Sequence, residues 1–188
     1  MTVEEFVAHP NVRDYELIDG NLVERKSVGA RNSYIAGRIL SAISVFAEQH
    51  ALGWTLDADA IYRCFGPANT GRRCDVSFIR FGRLAGERIP DADIQMAPDL
   101  AVEIVSPNDL AYEVNDKVAM YLNAGVKLVW IVYPETRTIE VVRPDGSATR
   151  IRHDQDISGE EILPGFKATV ARFFPPIERT ETAPDTVK

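Results

Sequence analysis

Three polar residues occupy positions where the surrounding sequence predicts the interior of a fold. Glu103 lies inside the apolar run LAVEIV at positions 100–105, and Asp75 begins the alternating segment CDVSFIRF. Lys117 falls in the helical pattern that follows Glu103 along the chain. A buried carboxylate is unfavourable unless a metal ion, a lysine or backbone donors compensate its charge. The sequence therefore requires such a partner for Glu103.

These residue types are sufficient for hydrolysis of a phosphodiester. Asp75 and Glu103, on neighbouring strands, are suitable ligands for Mg²⁺, with the carbonyl of Ile104 and water completing an octahedron. A bound metal lowers the pKa of its water and offsets charge on a phosphate. Lys117 can position or deprotonate that water and oppose the developing negative charge. The alternative is that Asp75 caps a turn and that Glu103 and Lys117 form a purely structural pair.

Lys117 belongs to the second long helix that the sequence predicts, at residues 108–124. Glu113, Lys117 and Tyr121 recur at intervals of four and therefore share one face of this helix. The expected core positions of the helix are Ala111, Val114, Val118, Tyr121 and Leu122. If these positions pack on the sheet, Lys117 lies close to the strand that carries Glu103.

The other patterns predict a mixed central β-sheet flanked by helices, in the α/β (α+β) class. A hairpin is expected around Asp19-Gly20 in YELIDGNLVERKS, because this dipeptide favours a tight turn. Isoleucines spaced by four residues predict the first long helix at 30–49. The apolar run VKLVWIVYP is typical of a central strand, and Pro144-Asp145-Gly146 indicates a second hairpin.

Length and composition are typical of one globular domain. The chain has 188 residues, 45% of them hydrophobic, and we expect a single domain at 1–174 followed by a disordered tail at 175–188. Two cysteines, an acidic N-terminus and the lack of a long apolar run favour a cytoplasmic protein without membrane association. The net charge of −7 argues against generic nucleic-acid binding but is compatible with an acidic metal site.

Five segments occur in order between about residues 3 and 174: YELIDGNLVE, CDVSFI, APDLAVEIVSPND, DKVAMYLNAGVKLVWIVYP and ILPGF. Together they resemble the Uma-type family of putative restriction endonucleases, which belongs to the PD-(D/E)XK nuclease superfamily. Each segment alone is a weak signal, whereas the ordered set is specific. The resemblance implies a restriction-endonuclease-like fold, with a mixed central sheet in an αβ core.

The resemblance also implies a Mg²⁺-dependent site. Asp75 matches the first acidic position of the family, Glu103 the second, and Glu16 a further acidic position that can reach the same region. Val105 replaces the lysine that usually stands two places after the second acid, and the following helix is expected to supply it as Lys117. The expected catalytic residues are therefore Asp75, Glu103, Lys117 and Glu16.

The chain departs from the family pattern at two places. Cys74 stands where the family usually has proline, a change that should leave Asp75 in place. Asn32 stands near the start of the first long helix, where a histidine is frequent. Contacts to the substrate are expected from Arg73, Asn32 and Tyr121, although solvation at the surface is an alternative role for Arg73.

The expected function is hydrolysis of DNA by a Mg²⁺-dependent endonuclease, with Mn²⁺ as an alternative metal. A homodimer is expected, because a chain of this size needs two sites to cut both strands. The alternative function is that of a catalytically silent nuclease fold that binds nucleic acid or a protein partner. The acidic composition and the presence of Asn32 favour this alternative.

Overall fold

The computed structural model describes residues 1–25 and 29–176 of the chain. The α-helices are α1 (Val3–Val7), α2 (Ala30–Gln49) and α3 (Ala111–Asn123). The strands are β1 (Tyr15–Ile18), β2 (Asn21–Glu24), β3 (Gly53–Asp57), β4 (Val76–Arg80), β5 (Leu100–Ile104), β6 (Leu128–Tyr133), β7 (Thr138–Val142), β8 (Ala148–Ile151), β9 (Asp156–Gly159) and β10 (Leu163–Thr169). In these described ranges, no helix combines the length and apolarity needed to cross a membrane. The tail predicted at 175–188 falls outside the described residues from position 177 onward.

A six-stranded sheet with the order β3-β4-β5-β6-β7-β8 forms the centre of the fold. Strands β5 and β6 are parallel, whereas the other neighbouring pairs of this sheet are antiparallel. A parallel pair needs a long crossover connection, which α3 supplies between the end of β5 and the start of β6. The predicted mixed sheet with flanking helices is confirmed.

The two faces of the central sheet are covered by different helices. Val102 and Ile104 of β5 pack in the cluster that contains the buried isoleucines of α2. Ala101, on the opposite face of the same strand, packs in the cluster that contains Tyr121 of α3. Because side chains alternate across a strand, Glu103 shares the face of Ala101 and points toward α3.

The hairpin of β1 and β2 forms a separate two-stranded sheet, as predicted from its turn sequence. Asp19 and Gly20 have φ values of 48° and 76°, the left-handed values that a tight hairpin turn requires. Leu17 is fully buried, and its backbone exchanges hydrogen bonds of 3.0 and 2.8 Å with Gly71. This bridge fixes the hairpin beside the segment that leads into β4.

Strand β9 and helix α3 differ from the sequence-based prediction. The short polar strand β9 was missed, because Ile157 is its one large buried apolar residue and it pairs with β10 outside the central sheet. Helix α3 begins at Ala111 instead of residue 108, since the N–H of Ser106 donates to Oδ2 of Asp109 at 2.8 Å in a preceding turn. The expectation that Ala111 packs in the core is wrong, because it begins the helix and is exposed.

Candidate active site

Strand register places Asp75 beside the end of β5. Asp75 directly precedes β4, whose register pairs Val76 with Val102 of β5. The N–H of Asp75 extends this ladder by donating to the carbonyl of Val102 at 3.1 Å. Its Oδ2 accepts the N–H of Ile104 at 2.7 Å. These two bonds hold Asp75 against the segment that contains Glu103.

The buried carboxylate of Glu103 is stabilised by two side chains of α3. Glu103 is 7% exposed. Lys117 Nζ donates to its Oε2 at 2.9 Å, and the Tyr121 hydroxyl donates to its Oε1. Lys117 and Tyr121 are four residues apart and therefore reach the same carboxylate from one helix face. The side chain of Lys117 thus points into the site.

The charges of these residues act strongly on one another. Burial and the negative charge of Glu103 raise the pKa of Asp75 from 3.8 to about 7. The carboxylate of Glu103 is the main cause that raises the pKa of Lys117, so this lysine is protonated at neutral pH. Burial raises the pKa of Tyr121 well above 10.0, so its hydroxyl remains a neutral donor. Mutual repulsion between Asp75 and Glu103 therefore favours an additional cation near them.

A cavity of about 390 Å³ opens beside Asp75, Glu103 and Lys117. Its walls are formed by the β1–β2 hairpin, the start of α2, the end of β5 and the first turns of α3. Among the described residues that line it, seven are acidic and four are basic. An excess of acidic side chains in a concave site attracts cations.

Glu16 lies on the hairpin wall of this cavity. Its Oε2 accepts a hydrogen bond from Arg72 Nε at 3.3 Å, and its Oε1 accepts the N–H of Arg73 at 3.2 Å. Arg72 also donates from Nη1 to the sulfur of Met120 at 3.4 Å. The structure therefore brings Glu16 to the same cavity as Asp75 and Glu103, but bonds it to Arg72.

The side chain of Arg73 is buried and makes its hydrogen bonds within the fold. It is 4% exposed, and its two Nη atoms donate to the carbonyls of Tyr15 and Val12. The guanidinium also lies over the ring of Phe6, 5.5 Å from the ring centroid. These contacts anchor the N-terminal segment to the segment that directly precedes Asp75, in place of the substrate contact expected for Arg73.

Asn32 and Tyr121 were also expected to contact the substrate. Asn32 lines the cavity and donates from Nδ2 to the carbonyl of Val105 at 3.2 Å. Tyr121 is 0% exposed, and its hydroxyl lies 3.2 Å from the carbonyl of Arg73 in addition to its contact with Glu103. A side chain without exposed surface cannot touch a substrate, so Tyr121 positions Glu103 instead.

Arg72 lines the cavity, although only its neighbour Arg73 was named among the expected substrate contacts. Arg72 and Arg73 form a basic pair close to Asp75 in the sequence. The sequence does not identify which of them faces the cavity, because adjacent residues of an extended segment face opposite ways. Within residues 1–25 and 29–176, no three His, Cys, Asp or Glu side chains converge closely enough to hold a metal ion. Glu16 therefore does not join Asp75 and Glu103 in a three-carboxylate cluster.

No curated protein matches the sequence. Among solved structures, the fold is similar to that of a putative nuclease belonging to DUF820 from Anabaena variabilis ATCC 29413. The TM-score is 0.75 with 19% identity, over 93% of this chain and 97% of that chain, which confirms the predicted fold class. The model of the Uma2 family, described as putative restriction endonuclease, matches residues 3–171 and confirms the resemblance. The chain therefore belongs to the Uma2 family.

Proposed function

We propose that this protein is a Mg²⁺-dependent endonuclease that hydrolyses phosphodiester bonds of DNA. The observation that carries the proposal is the pair of acidic residues, Asp75 and Glu103, held together at one edge of a cavity with Lys117 beside them. Membership of the Uma2 family supports a nuclease-like function. The identity of the metal rests on the chemistry of the cavity, and DNA as the substrate rests on the description of the family as putative restriction endonuclease.

The donor set fits a hard divalent cation. Asp75 and Glu103 supply carboxylate oxygens, the carbonyl of Ile104 supplies a third oxygen, and Mg²⁺ commonly retains several waters. Mn²⁺ prefers the same oxygen ligands and is therefore a suitable substitute. Such an ion, when bound, supplies an acidic water and neutralises charge on a phosphate. The raised pKa of Asp75 indicates that this carboxylate gains from a nearby positive charge.

Lys117 has an electrostatic role in this proposal. Its pKa is raised by Glu103, so at neutral pH it carries a positive charge and cannot accept a proton from water. A fixed ammonium group beside the cavity stabilises negative charge that develops on a phosphate. Tyr121 keeps Glu103 oriented, while Glu16 supports the opposite wall of the cavity.

A catalytically silent protein that binds nucleic acid or a protein partner is the alternative. The observation that favours it is that Glu103 already has a cationic partner in Lys117 and a hydrogen-bond donor in Tyr121. An internally satisfied glutamate needs no metal to be stable in the fold. This arrangement would then be a structural remnant of a nuclease site.

Metal titration separates the two functions. We expect calorimetry to detect Mn²⁺ binding to the wild type and none to Asp75→Asn/Glu103→Gln, which keeps the side-chain shapes but removes both charges. Asp154→Asn/Glu161→Gln, at exposed positions outside the cavity, serves as the matched control and should bind like the wild type. Binding should be accompanied by Mg²⁺-dependent cleavage of plasmid DNA. A wild type that binds no Mn²⁺ and cuts no nucleic acid would exclude the endonuclease.

A further inference from the structure

Arg72 is fixed at both its backbone and its side chain. Its backbone exchanges hydrogen bonds of 3.0 and 2.7 Å with Tyr62, which is fully buried. Its Nε donates to Glu16, whose other oxygen is held by the backbone N–H of Arg73. The side chains of Arg72 and Glu16 are 19% and 14% exposed. The guanidinium therefore has a defined position on the cavity wall.

The other described cations that line the cavity donate to carboxylate or carbonyl oxygens of the protein. Lys117 is bonded to Glu103, and Arg73 is buried against backbone carbonyls. Arg25 donates to the carbonyl of Arg13 at 3.0 Å and lies 4.0 Å from Asp59, which does not line the cavity. Arg72 differs from these because one of its acceptors is the thioether of Met120, a weak acceptor. A phosphate oxygen is a stronger acceptor for this N–H than the thioether.

We propose that Arg72 contacts the phosphate of the substrate and that Glu16 is the positioning residue of Arg72 and not a ligand of the metal. The inference rests on the proposed function and assigns its phosphate contact. A guanidinium matches two phosphate oxygens in a planar fork, and the carboxylate of Glu16 orients that fork by charge and hydrogen bonding. Among the described residues, Glu16 is not part of any group of three side chains that could hold a metal ion. This agrees with a role of Glu16 in positioning Arg72.

The phosphate contact is tested by fluorescence anisotropy of a labelled 15-nucleotide DNA, single-stranded and as a duplex, over a series of salt concentrations. Ca²⁺ replaces Mg²⁺, and gels verify that the probe stays intact. We expect Arg72→Gln to weaken binding about tenfold, the value for loss of one charged hydrogen bond. The slope of log affinity against log salt should fall in magnitude by about 0.7–0.9, the value for one phosphate contact. Arg72→Lys should retain most of the slope but lose affinity, because lysine keeps the charge without the fork.

The role of Glu16 is tested with the metal alone and by a double-mutant cycle. Glu16→Gln should keep the Mn²⁺ affinity of the wild type, whereas Asp75→Asn, which removes a carboxylate ligand, should lose it. In the Glu16→Gln background, Arg72→Gln should cost less DNA affinity than in the wild type, because its guanidinium is no longer held. Glu140→Gln and Arg150→Gln are the matched controls, since this pair is also 3.3 Å apart but does not line the cavity.

Three results would overturn the inference. Loss of Mn²⁺ affinity in Glu16→Gln would make Glu16 a metal ligand. A salt slope in Arg72→Gln equal to that of Arg150→Gln would exclude the phosphate contact. In either case the wild type would still bind Mn²⁺ and DNA, and the proposed function would stand. A wild type that binds neither probe would instead remove the inference together with the proposed function.

Discussion

Replacement of Asp75 by asparagine should stabilise the metal-free protein at alkaline pH. In the folded protein, burial and Glu103 raise the pKa of Asp75 from 3.8 to about 7. A carboxyl group with a raised pKa binds its proton more tightly when folded, so its stabilising effect is complete below about pH 4. That effect is lost as the pH rises through about 7. Asparagine does not titrate, so the Asp75→Asn protein does not lose this stability as the pH rises.

The magnitude follows from the size of the pKa change. At 1.36 kcal/mol per pH unit, a rise from 3.8 to about 7 corresponds to at most about 4 kcal/mol. Water in the cavity relaxes around the charge, so we expect about half of this value, about 2 kcal/mol. In a chain of this length, each kcal/mol changes Tm by about 2–4 °C. The expected increase in Tm for Asp75→Asn is therefore about 4–8 °C at about pH 8.

Thermal unfolding followed by circular dichroism in EDTA, from about pH 4 to about pH 8, measures this effect. The Tm difference should be close to zero at the acidic end and should grow through neutral pH. Asp145→Asn is the control of opposite sign, because hydrogen bonds from Ser147 lower the pKa of Asp145 and its charge stabilises the fold. An Asp75→Asn protein with a Tm at or below that of the wild type at alkaline pH would refute the electrostatic reasoning.

Three further predictions concern the partners of Glu103 and the assembly. Lys117→Met should destabilise the fold by about 1–3 kcal/mol and should abolish DNA cleavage. The expected loss of stability is smaller than for a fully buried ion pair, because the side chain of Lys117 is 33% exposed. Urea unfolding and a plasmid assay measure these two effects, and cleavage at the wild-type rate would exclude an electrostatic role of Lys117. Tyr121→Phe should cost about 1–2 kcal/mol in the same urea experiment, because Glu103 loses a donor, and an unchanged midpoint would contradict that contact. Light scattering should give twice the chain mass of 20.9 kDa, whereas a monomer at the concentrations used for cleavage would exclude the homodimer.

Sequence reasoning predicted the long elements well because their patterns are local. The isoleucines of α2 recur with helical periodicity, and the predicted range of 30–49 is the range observed. Asp19-Gly20 indicated the hairpin, since these residue types readily adopt the positive φ values that the turn requires. Strand β9 could not be recognised in this way, because its pairing with β10 is set by tertiary contacts and not by a clear alternation.

For the site as well, the sequence predicted the features that depend on local patterns and not those that depend on tertiary contacts. The sequence indicated that Glu103 is buried and that Lys117 and Tyr121 share one helix face, because both conclusions depend on periodicity. The partners of Arg72 and Arg73 depend instead on where the hairpin docks. The bridge between Leu17 and Gly71 brings Glu16 to Arg72, while the side chain of Arg73 donates to the carbonyl of Tyr15.

The sequence by itself determined the mixed class of the fold, its main helices and strands, and the need for a partner at a carboxylate inside a buried strand. Only the tertiary structure decided that Lys117 and Tyr121 supply that partner and that Asp75 lies against the end of β5. The physical reason is that local patterns encode periodicity and burial. The identity of the group across a contact depends on strand register, helix rotation and the docking of segments that are distant in the chain.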